Sequence, residues 1–121
     1  MERIVLVKLM KGKIHRAGVT QSDLNYEGSI GVDEDLLEAS GILPFEAVHV
    51  WNITNGNRLE TYALPMERGS GQICMNGAGA RLAHVGDLVI IASFCWMDEE
   101  AARSYQPRVV LIGDANRVKQ L

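Results

Sequence analysis

Short apolar runs rich in β-branched residues recur along this chain, and glycine-containing segments separate them. Runs of this kind, about four to eight residues long, are typical of β-strands. The pattern predicts strands over residues 1–10, 47–53, 58–64, 72–75, 88–94 and 108–112. The run 88–94 is apolar on both faces, which predicts a strand in the middle of a sheet. Several short strands with few and brief helices favour a small closed β-barrel.

Helix signals are confined to three short segments. Asp33 is predicted to cap a helix over residues 34–40, with Gly41 just beyond its end. The segment 20–24 begins with the hydroxyl-x-x-acid pattern of a capping box, which predicts a helical turn. Residues 97–104 are predicted as a third short helix.

Composition indicates one domain spanning residues 1–121, because the chain is too short for two independent cores and its 47% apolar content suffices for one. The net charge is −3 and no basic cluster is present, so we expect no nucleic-acid partner. No apolar run is long enough for a membrane span, and we expect a cytoplasmic protein. Cys74 and Cys95 stand apart in apolar stretches and are expected to be buried, reduced thiols rather than metal ligands.

Two polar groups in the first third of the chain could carry chemistry, although each has a simpler explanation. The dipeptide Gly28-Ser29 is typical of an ordinary turn. Lys13 and His15 are two residues apart, so they share one face of an extended segment. On local grounds that face is a solvated strand edge.

Two further groups follow the predicted Asn-Gly turn at residues 55–56. Arg58 and Tyr62 share one face of the predicted strand and Thr61 points to the other, which is typical of an exposed cross-strand ladder. The segment 76–80 has only small side chains after its asparagine, so a ligand or another backbone could approach it closely.

All four groups occur together, at an order and spacing that resembles the pyruvoyl-dependent aspartate 1-decarboxylases. The matching motifs are Gly12–Arg16, Asn25–Ser29, Trp51–Gly56, Arg58 with Thr61–Tyr62, Arg68–Gly71, Asn76–Ala78 and Gly86–Ile91. The resemblance extends from Ile4 to about Lys119. Gly79 departs from the pattern, since the family more often has alanine there.

The resemblance implies a mainly β fold, namely a small six-stranded double-psi β-barrel with short helices, and assembly as a homotetramer. It also implies self-cleavage between Gly28 and Ser29 into chains 1–28 and 29–121. Ser29 then becomes a covalent pyruvoyl group, so neither pyridoxal phosphate nor a metal is expected. The implied reaction converts L-aspartate to β-alanine and carbon dioxide for pantothenate and coenzyme A synthesis.

The resemblance also implies a role for each candidate residue. Thr61 polarises the Gly28 carbonyl during cleavage and also contacts the substrate. Tyr62 returns a proton after decarboxylation, which suits a phenol because phenols keep their proton at neutral pH. The remaining substrate-binding residues are Lys13, His15, Arg58, Asn76, Gly77, Ala78 and Gly79. Because Thr61 and Tyr62 point to opposite faces of a regular strand, we predict a bend or bulge there.

Two other functions remain open on the sequence. A non-catalytic barrel that binds a ligand would keep Gly28-Ser29 as an intact turn. A pyruvoyl decarboxylase for another amino acid would share the cleavage site, although Lys13 together with Arg58 favours a short diacid.

Overall fold

A sheet built from eight strands dominates the computed structural model, which describes residues 3–119. Within that range the strands are β1 (Leu6–Gly18), β2 (Gln21–Asp23), β3 (Ser29–Asp33), β4 (Ala47–Asn52), β5 (Arg58–Met66), β6 (Ile73–Asn76), β7 (Leu88–Asp98) and β8 (Arg108–Leu111). Their order in the sheet is β2-β6-β3-β5-β4-β7-β1-β8. The mainly β class is therefore confirmed, and β7 lies inside the sheet as predicted.

Two features of the predicted barrel differ from the structure. The strand count over residues 3–119 is eight rather than six, because β2 and β3 join the six segments that the hydrophobic pattern predicts. The hydrogen-bonded ladder of these residues ends at β2 and β8, so the sheet does not close on itself.

Strand β1 begins at Leu6, so residues 3–5 of the predicted strand lie before it, and it continues to Gly18, beyond the predicted end at residue 10. It carries two of the candidate site residues. It continues through Gly18 because small or apolar residues alternate with polar ones beyond Lys11, and this lets the segment pair with β7 on one side and β8 on the other. The pairing with β7 shifts register next to Lys11 and again next to Arg16, whose φ is +71°. Residues 1–2 of the predicted strand lie outside the described residues.

Two of the three predicted helices form, and each begins directly after a capping aspartate. Helix α1 (Glu34–Ser40) begins where the Asp33 side chain accepts a hydrogen bond from the Asp35 N–H, and it ends at Gly41 with φ +76°. Helix α2 (Glu99–Ser104) starts later than predicted because β7 continues through Asp98.

The helical turn predicted at residues 20–24 is wrong. Gln21–Asp23 forms β2 instead, paired in parallel with β6. The hydroxyl of Thr20 both donates to the Ile73 carbonyl and accepts from the Ile73 N–H. The Thr20 hydroxyl is therefore bonded to β6 and does not cap a helix.

The core lies against the interior of this sheet and includes one face of α1. Its largest fully buried members are Ile14, Ile30, Leu36, Ile73, Met75 and Ile91. Cys74 is buried as predicted, whereas Cys95 is only half-buried, and both thiols are free. No helix among residues 3–119 is long and apolar enough to cross a membrane.

Candidate active site

Ser29 occupies the boundary between an exposed loop and a buried strand. It is the first residue of β3 and is 1% exposed, whereas Gly28 before it is exposed. The Ser29 Oγ accepts a hydrogen bond from Asn76 Nδ2 at 3.1 Å. Ser29 and Asn76 are also direct partners in the antiparallel β3–β6 pair. The structure therefore brings Asn76 to the predicted cleavage site and fixes the serine hydroxyl there.

Gly77 contacts the other half of the predicted cleavage site. It adopts φ +69°, and a Cβ added to it would lie 2.8 Å from both the N and the Cα of Gly28. The same Cβ would lie 3.0 Å from the carbonyl oxygen of Tyr26. Backbone atoms of the loop cannot move aside as a flexible side chain would. Gly77 thus supplies the space in which the Gly28 backbone lies.

Thr61 lies on β5, which pairs in parallel with β3. The ladder between them begins at Ile30 opposite Ala63, so Gly28 and Thr61 each lie two residues before its first pair. Thr61 is half-buried, on the same face of β5 as the buried Ala63.

The bulge predicted between Thr61 and Tyr62 is wrong. The β4–β5 register runs without a shift from Ala47 opposite Tyr62 to Trp51 opposite Arg58. The strand is regular because every residue of this stretch has a backbone partner in β4. Thr61 and Tyr62 therefore face opposite sides of the sheet.

Arg58 and Tyr62 lie on the outer face of β5. Tyr62 is 36% exposed, and its ring stacks with Phe45 at a centroid distance of 6.3 Å. The Arg58 guanidinium lies 5.3 Å from the centroid of the Trp51 ring. Residues four apart on a strand are separated by about 13 Å. Arg58 and Tyr62 thus share a face, but they are not in contact.

Lys13 and His15 lie on β1, which β5, β4 and β7 separate from β3 in the sheet. Neither is therefore a strand neighbour of Ser29. Burial lowers the pKa of His15 below its usual 6.5, and the neighbouring positive charges of Lys13 and Arg16 lower it further. The imidazole is consequently neutral at pH 7, and its Nδ1 is buried without a hydrogen-bond partner among residues 3–119.

Neither predicted carboxylate-binding cation is already neutralised. Over residues 3–119, the ion pairs do not include Lys13 or Arg58. Both side chains can therefore bind a substrate carboxylate without first giving up an internal partner.

Ala78 and Gly79 belong to a 3₁₀ turn that spans Gly77–Arg81. Ala78 is exposed. A Cβ on Gly79 would lie 2.6 Å from Met75 Cε and 3.1 Å from Leu59 Cδ1. These are ends of flexible side chains, so the alanine that is common in the family could be accommodated by small shifts.

A cavity of about 210 Å³ lies beside Asn76. Its lining comprises Gln21, Tyr26, Gly31, Leu64, Pro65, Met66, Cys74 and Asn76, and none of these is a lysine or arginine. A dicarboxylate could not be neutralised there by this lining alone. Among residues 3–119, no cluster of three or more His, Cys, Asp or Glu side chains could hold a metal ion.

Three asparagines of the predicted β4–β5 turn, for which the sequence indicated no role in the site, also contribute to the site region. The amides of Asn52, Asn55 and Asn57 all donate to the carbonyl of Leu82, directly after the 3₁₀ turn. The only sequence signal was the density of asparagines around the Asn-Gly turn, and that signal is typical of any tight turn.

Comparisons with known proteins identify the family of the chain. The family model described as aspartate decarboxylase matches residues 5–119. Proteins named aspartate 1-decarboxylase from Hyphomonas neptunium and Carboxydothermus hydrogenoformans are each 54% identical to the chain. The first match covers 96% of this chain and 98% of the relative, and the second covers 97% and 92%. A protein of the same name from Legionella pneumophila is 56% identical over 94% of this chain and 86% of its own length. The chain belongs to the aspartate decarboxylase family.

Proposed function

We propose that this chain cuts itself between Gly28 and Ser29 and then decarboxylates L-aspartate to β-alanine with a pyruvoyl group derived from Ser29. The observation that carries the proposal is the buried Ser29 hydroxyl held by Asn76 at 3.1 Å, directly after a glycine that packs against Gly77. A turn with no chemical role does not require its serine to be 1% exposed and fixed by an amide.

The first step is an N-to-O acyl shift at the Gly28–Ser29 bond. The Ser29 Oγ attacks the Gly28 carbonyl carbon, and the bond from that carbon to the Ser29 nitrogen breaks, which leaves an ester. Elimination across the serine Cα and Cβ releases the Gly28 carboxylate and leaves dehydroalanine. Water then converts the dehydroalanine to pyruvoyl and releases ammonia. Asn76 donates to one lone pair of Oγ, and this holds the oxygen in place while the other lone pair is free to attack.

Thr61 is the proposed donor to the carbonyl oxygen of Gly28. Negative charge develops on that oxygen during the attack, and a hydroxyl stabilises it without introducing a permanent charge. The parallel register of β3 and β5 supports this role, because its continuation by two residues before the Ile30–Ala63 pair would align Thr61 with Gly28.

The site can hold a pyruvoyl group because this group would form from the atoms of Ser29, which lie at the start of β3. This group supplies an electrophilic ketone that accepts the electron pair released when the α-carboxylate leaves. Arg58 and Lys13 are the proposed carboxylate ligands, with His15 nearby. Tyr62 is the proposed proton donor to the product carbon. Asn76 and the 77–79 backbone are proposed to form the remaining wall of the substrate site.

We further propose that neighbouring subunits of a homotetramer complete each site. Thr61 and Tyr62 face opposite sides of β5 within one chain, and Lys13 lies three intervening strands away from Ser29. A second copy could present Lys13 or Tyr62 to the Ser29 of the first. The side chains of Phe45 and Trp96 are 74% and 65% exposed in the single chain. Contact with a neighbouring subunit would bury this apolar surface, which favours assembly.

The finer fold of the family, a double-psi β-barrel, is part of the same proposal. Only residues 19–20 separate the end of β1 from β2 at the far edge of the sheet. Asn116 then hydrogen-bonds to the Gly18 backbone and to the Gly71 carbonyl, which ties the end of β1 to the loop before β6. These links bring the two sides of the sheet together. We also propose a cytoplasmic role in pantothenate and coenzyme A synthesis, as the resemblance implies.

Substitution of Ser29 with alanine tests the function directly. Ser29→Ala should remain uncleaved and should form no β-alanine from aspartate. Decarboxylase activity in that variant would contradict the proposal. A non-catalytic barrel predicts an intact chain in both proteins. A decarboxylase for another amino acid predicts cleavage of the wild type with faster turnover of glutamate or a neutral amino acid than of aspartate.

A further inference from the structure

Three side chains at the turn between β4 and β5 converge on one backbone carbonyl. Asn52 Nδ2 donates to the Leu82 carbonyl oxygen at 3.1 Å, and the Nδ2 atoms of Asn55 and Asn57 donate to the same oxygen at 3.2 Å each. A carbonyl oxygen has two lone pairs, so three donors saturate it. We name Asn52, Asn55 and Asn57 the asparagine clamp.

The clamped residue closes the 3₁₀ turn that contacts the cleavage site. The Leu82 N–H donates to the Gly79 carbonyl at 2.9 Å and so ends the turn. At its other end the turn begins with Gly77, which packs against Gly28, and follows directly after Asn76. The clamp therefore holds one end of a five-residue segment whose other end packs against the N and Cα of Gly28.

The geometry of the β4–β5 turn does not itself require these amide donors. The side-chain oxygen of Asn52 already accepts from the Thr54 and Asn55 N–H groups, and the side-chain oxygen of Asn55 accepts from the Asn57 N–H. Those oxygen contacts satisfy the local backbone of the turn. The three Nδ2 groups are directed instead to Leu82, in a separate segment of the chain.

The three asparagines of the clamp differ in burial, so the two less buried ones can be replaced without leaving a cavity in the core. Asn52 is 3% exposed and also donates to Asp87 at 2.8 Å, so its removal would leave buried groups unpaired. Asn55 is exposed and Asn57 is half-buried. Their replacement removes two of the donors to Leu82 and leaves that of Asn52 in place. Replacement of Asn55 also removes the acceptor of the Asn57 N–H, so Asn57→Ala alone isolates the loss at Leu82.

We propose that the asparagine clamp positions Asn76 and Gly77 for self-cleavage at Gly28–Ser29. The inference rests on the proposed function and assigns positioning residues to its first step. No member of the clamp has a hydrogen bond to Gly28 or Ser29 within residues 3–119, so each acts through the 3₁₀ turn. Cleavage is the step most sensitive to this arrangement, because it depends on small displacements of a backbone carbonyl relative to a hydroxyl.

The experiment measures the rate of self-cleavage of freshly purified precursor by gel and mass analysis. Asn55→Ala combined with Asn57→Ala should slow cleavage by on the order of tenfold. Its thermal midpoint should remain within about 4 °C of the wild-type value, because only partly exposed contacts are lost. Ile53→Ala is the matched control, since it alters an exposed side chain of the same turn and leaves Leu82 untouched. It should cleave at the wild-type rate.

A second readout follows the 3₁₀ turn itself in precursors that carry Ser29→Ala and cannot cleave. Amide hydrogens of residues 77–82 should exchange faster when the two clamp asparagines are removed, and they should be unaffected by Ile53→Ala. If the double variant fails to fold, Asn57→Ala alone replaces it with the same expectations.

The outcomes separate the inference from the proposed function. Wild-type cleavage with equally fast cleavage of the clamp variant would overturn the inference and leave the proposed function intact. Equal slowing by Ile53→Ala, or slowed cleavage with unchanged amide exchange, would also overturn it. A wild-type chain that never cleaves would overturn the proposed function instead.

Discussion

At the residue scale, Gly77 is the position where the smallest chemical change should have the largest effect on processing. A methyl group there would lie 2.8 Å from the Gly28 backbone. Gly77→Ala should therefore displace the cleavage bond and slow processing at least about 100-fold, which corresponds to about 3 kcal/mol of barrier.

The matched control for this prediction is Gly56→Ala. Gly56 also has a positive φ, +81°, but a Cβ there would meet nothing within 4 Å. Both variants carry the strain of alanine at positive φ, and only Gly77→Ala adds a clash. Similar cleavage rates for the two variants, measured by the fraction of intact chain over time, would show that contact with Gly28 is unimportant.

Thr61 provides a second residue-scale prediction. Thr61→Val keeps the shape of the side chain and removes the hydroxyl, so cleavage should slow by roughly 100-fold, as for loss of one oxyanion donor. Thr61→Ser keeps the hydroxyl and should retain most of the rate. Time courses by mass spectrometry distinguish the two, and equal rates for valine and serine would exclude Thr61 as the donor.

The sequence could predict these residues only in part. Gly28, Ser29 and Thr61 follow from the family motifs, but the contact between Gly77 and Gly28 depends on how two loops meet. The asparagine clamp could not be predicted for the same reason. Its acceptor is the backbone carbonyl of Leu82, and the pattern of side chains does not show where a backbone carbonyl will lie.

At the element scale, Asp33 joins helix α1 to the loop before β6. Its carboxylate accepts from the Asp35 N–H at the start of the helix and from the N–H groups of Gly69 and Gly71 in the loop. Burial alone would raise the pKa of this carboxyl, but the three backbone N–H groups outweigh burial and lower the pKa below its usual 3.8.

A carboxyl whose pKa is lower in the folded state stabilises the fold above its usual pKa, and this stability is lost as the pH falls through 3.8 toward the folded value. Asp33→Asn should therefore cost about 2–4 kcal/mol at pH 7 and clearly less at pH 3. Urea unfolding at fixed protein concentration measures both values. A cost independent of pH would contradict the role of the charge. Asp114→Asn, at an exposed position that takes part in no ion pair among residues 3–119, is the control.

The elements that were predicted well are those whose signals are local. Asp33 and Gly41 bound helix α1 as expected because a cap acts within a few residues. The wrong helix at 20–24 and the underestimated length of β1 have a shared cause. In both, pairing with a distant strand determined the backbone, and the local pattern could not report that partner.

For the whole molecule, the separation of Lys13 from Ser29 by three strands of the sheet predicts complementation between inactive chains. A Lys13→Ala chain would keep its pyruvoyl group and lack a carboxylate ligand. A Ser29→Ala chain would keep Lys13 and lack the pyruvoyl group. Co-expressed in equal amounts, they should recover about a quarter of the wild-type activity, because a random tetramer pairs the two intact halves in one site out of four.

Complementation is measured as β-alanine formed per milligram of co-purified protein, after mass analysis has verified cleavage of the Lys13→Ala chain. Each variant expressed alone is the control. A mixture no more active than the Lys13→Ala chain by itself would indicate that one chain builds its site without a neighbour.

The mainly β character could be read from the sequence, whereas the strand count and the ends of the sheet could not. The edge strand β2 was not predicted, because its three residues have no apolar alternation and depend on β6 for backbone partners, whereas the edge strand β8 matches the predicted run 108–112. The cleavage site could be predicted only from the family resemblance, because Gly28-Ser29 taken alone is an ordinary turn dipeptide.

Intact-mass measurement of the purified protein shows whether Ser29 is the precursor of the catalytic group. If it is, the protein consists of two chains, residues 1–28 and residues 29–121, with the second lighter by one ammonia than a chain that begins with serine. This processed protein should form β-alanine from L-aspartate. A single species of 13.3 kDa that persists after prolonged incubation, with no activity on aspartate, would contradict the account.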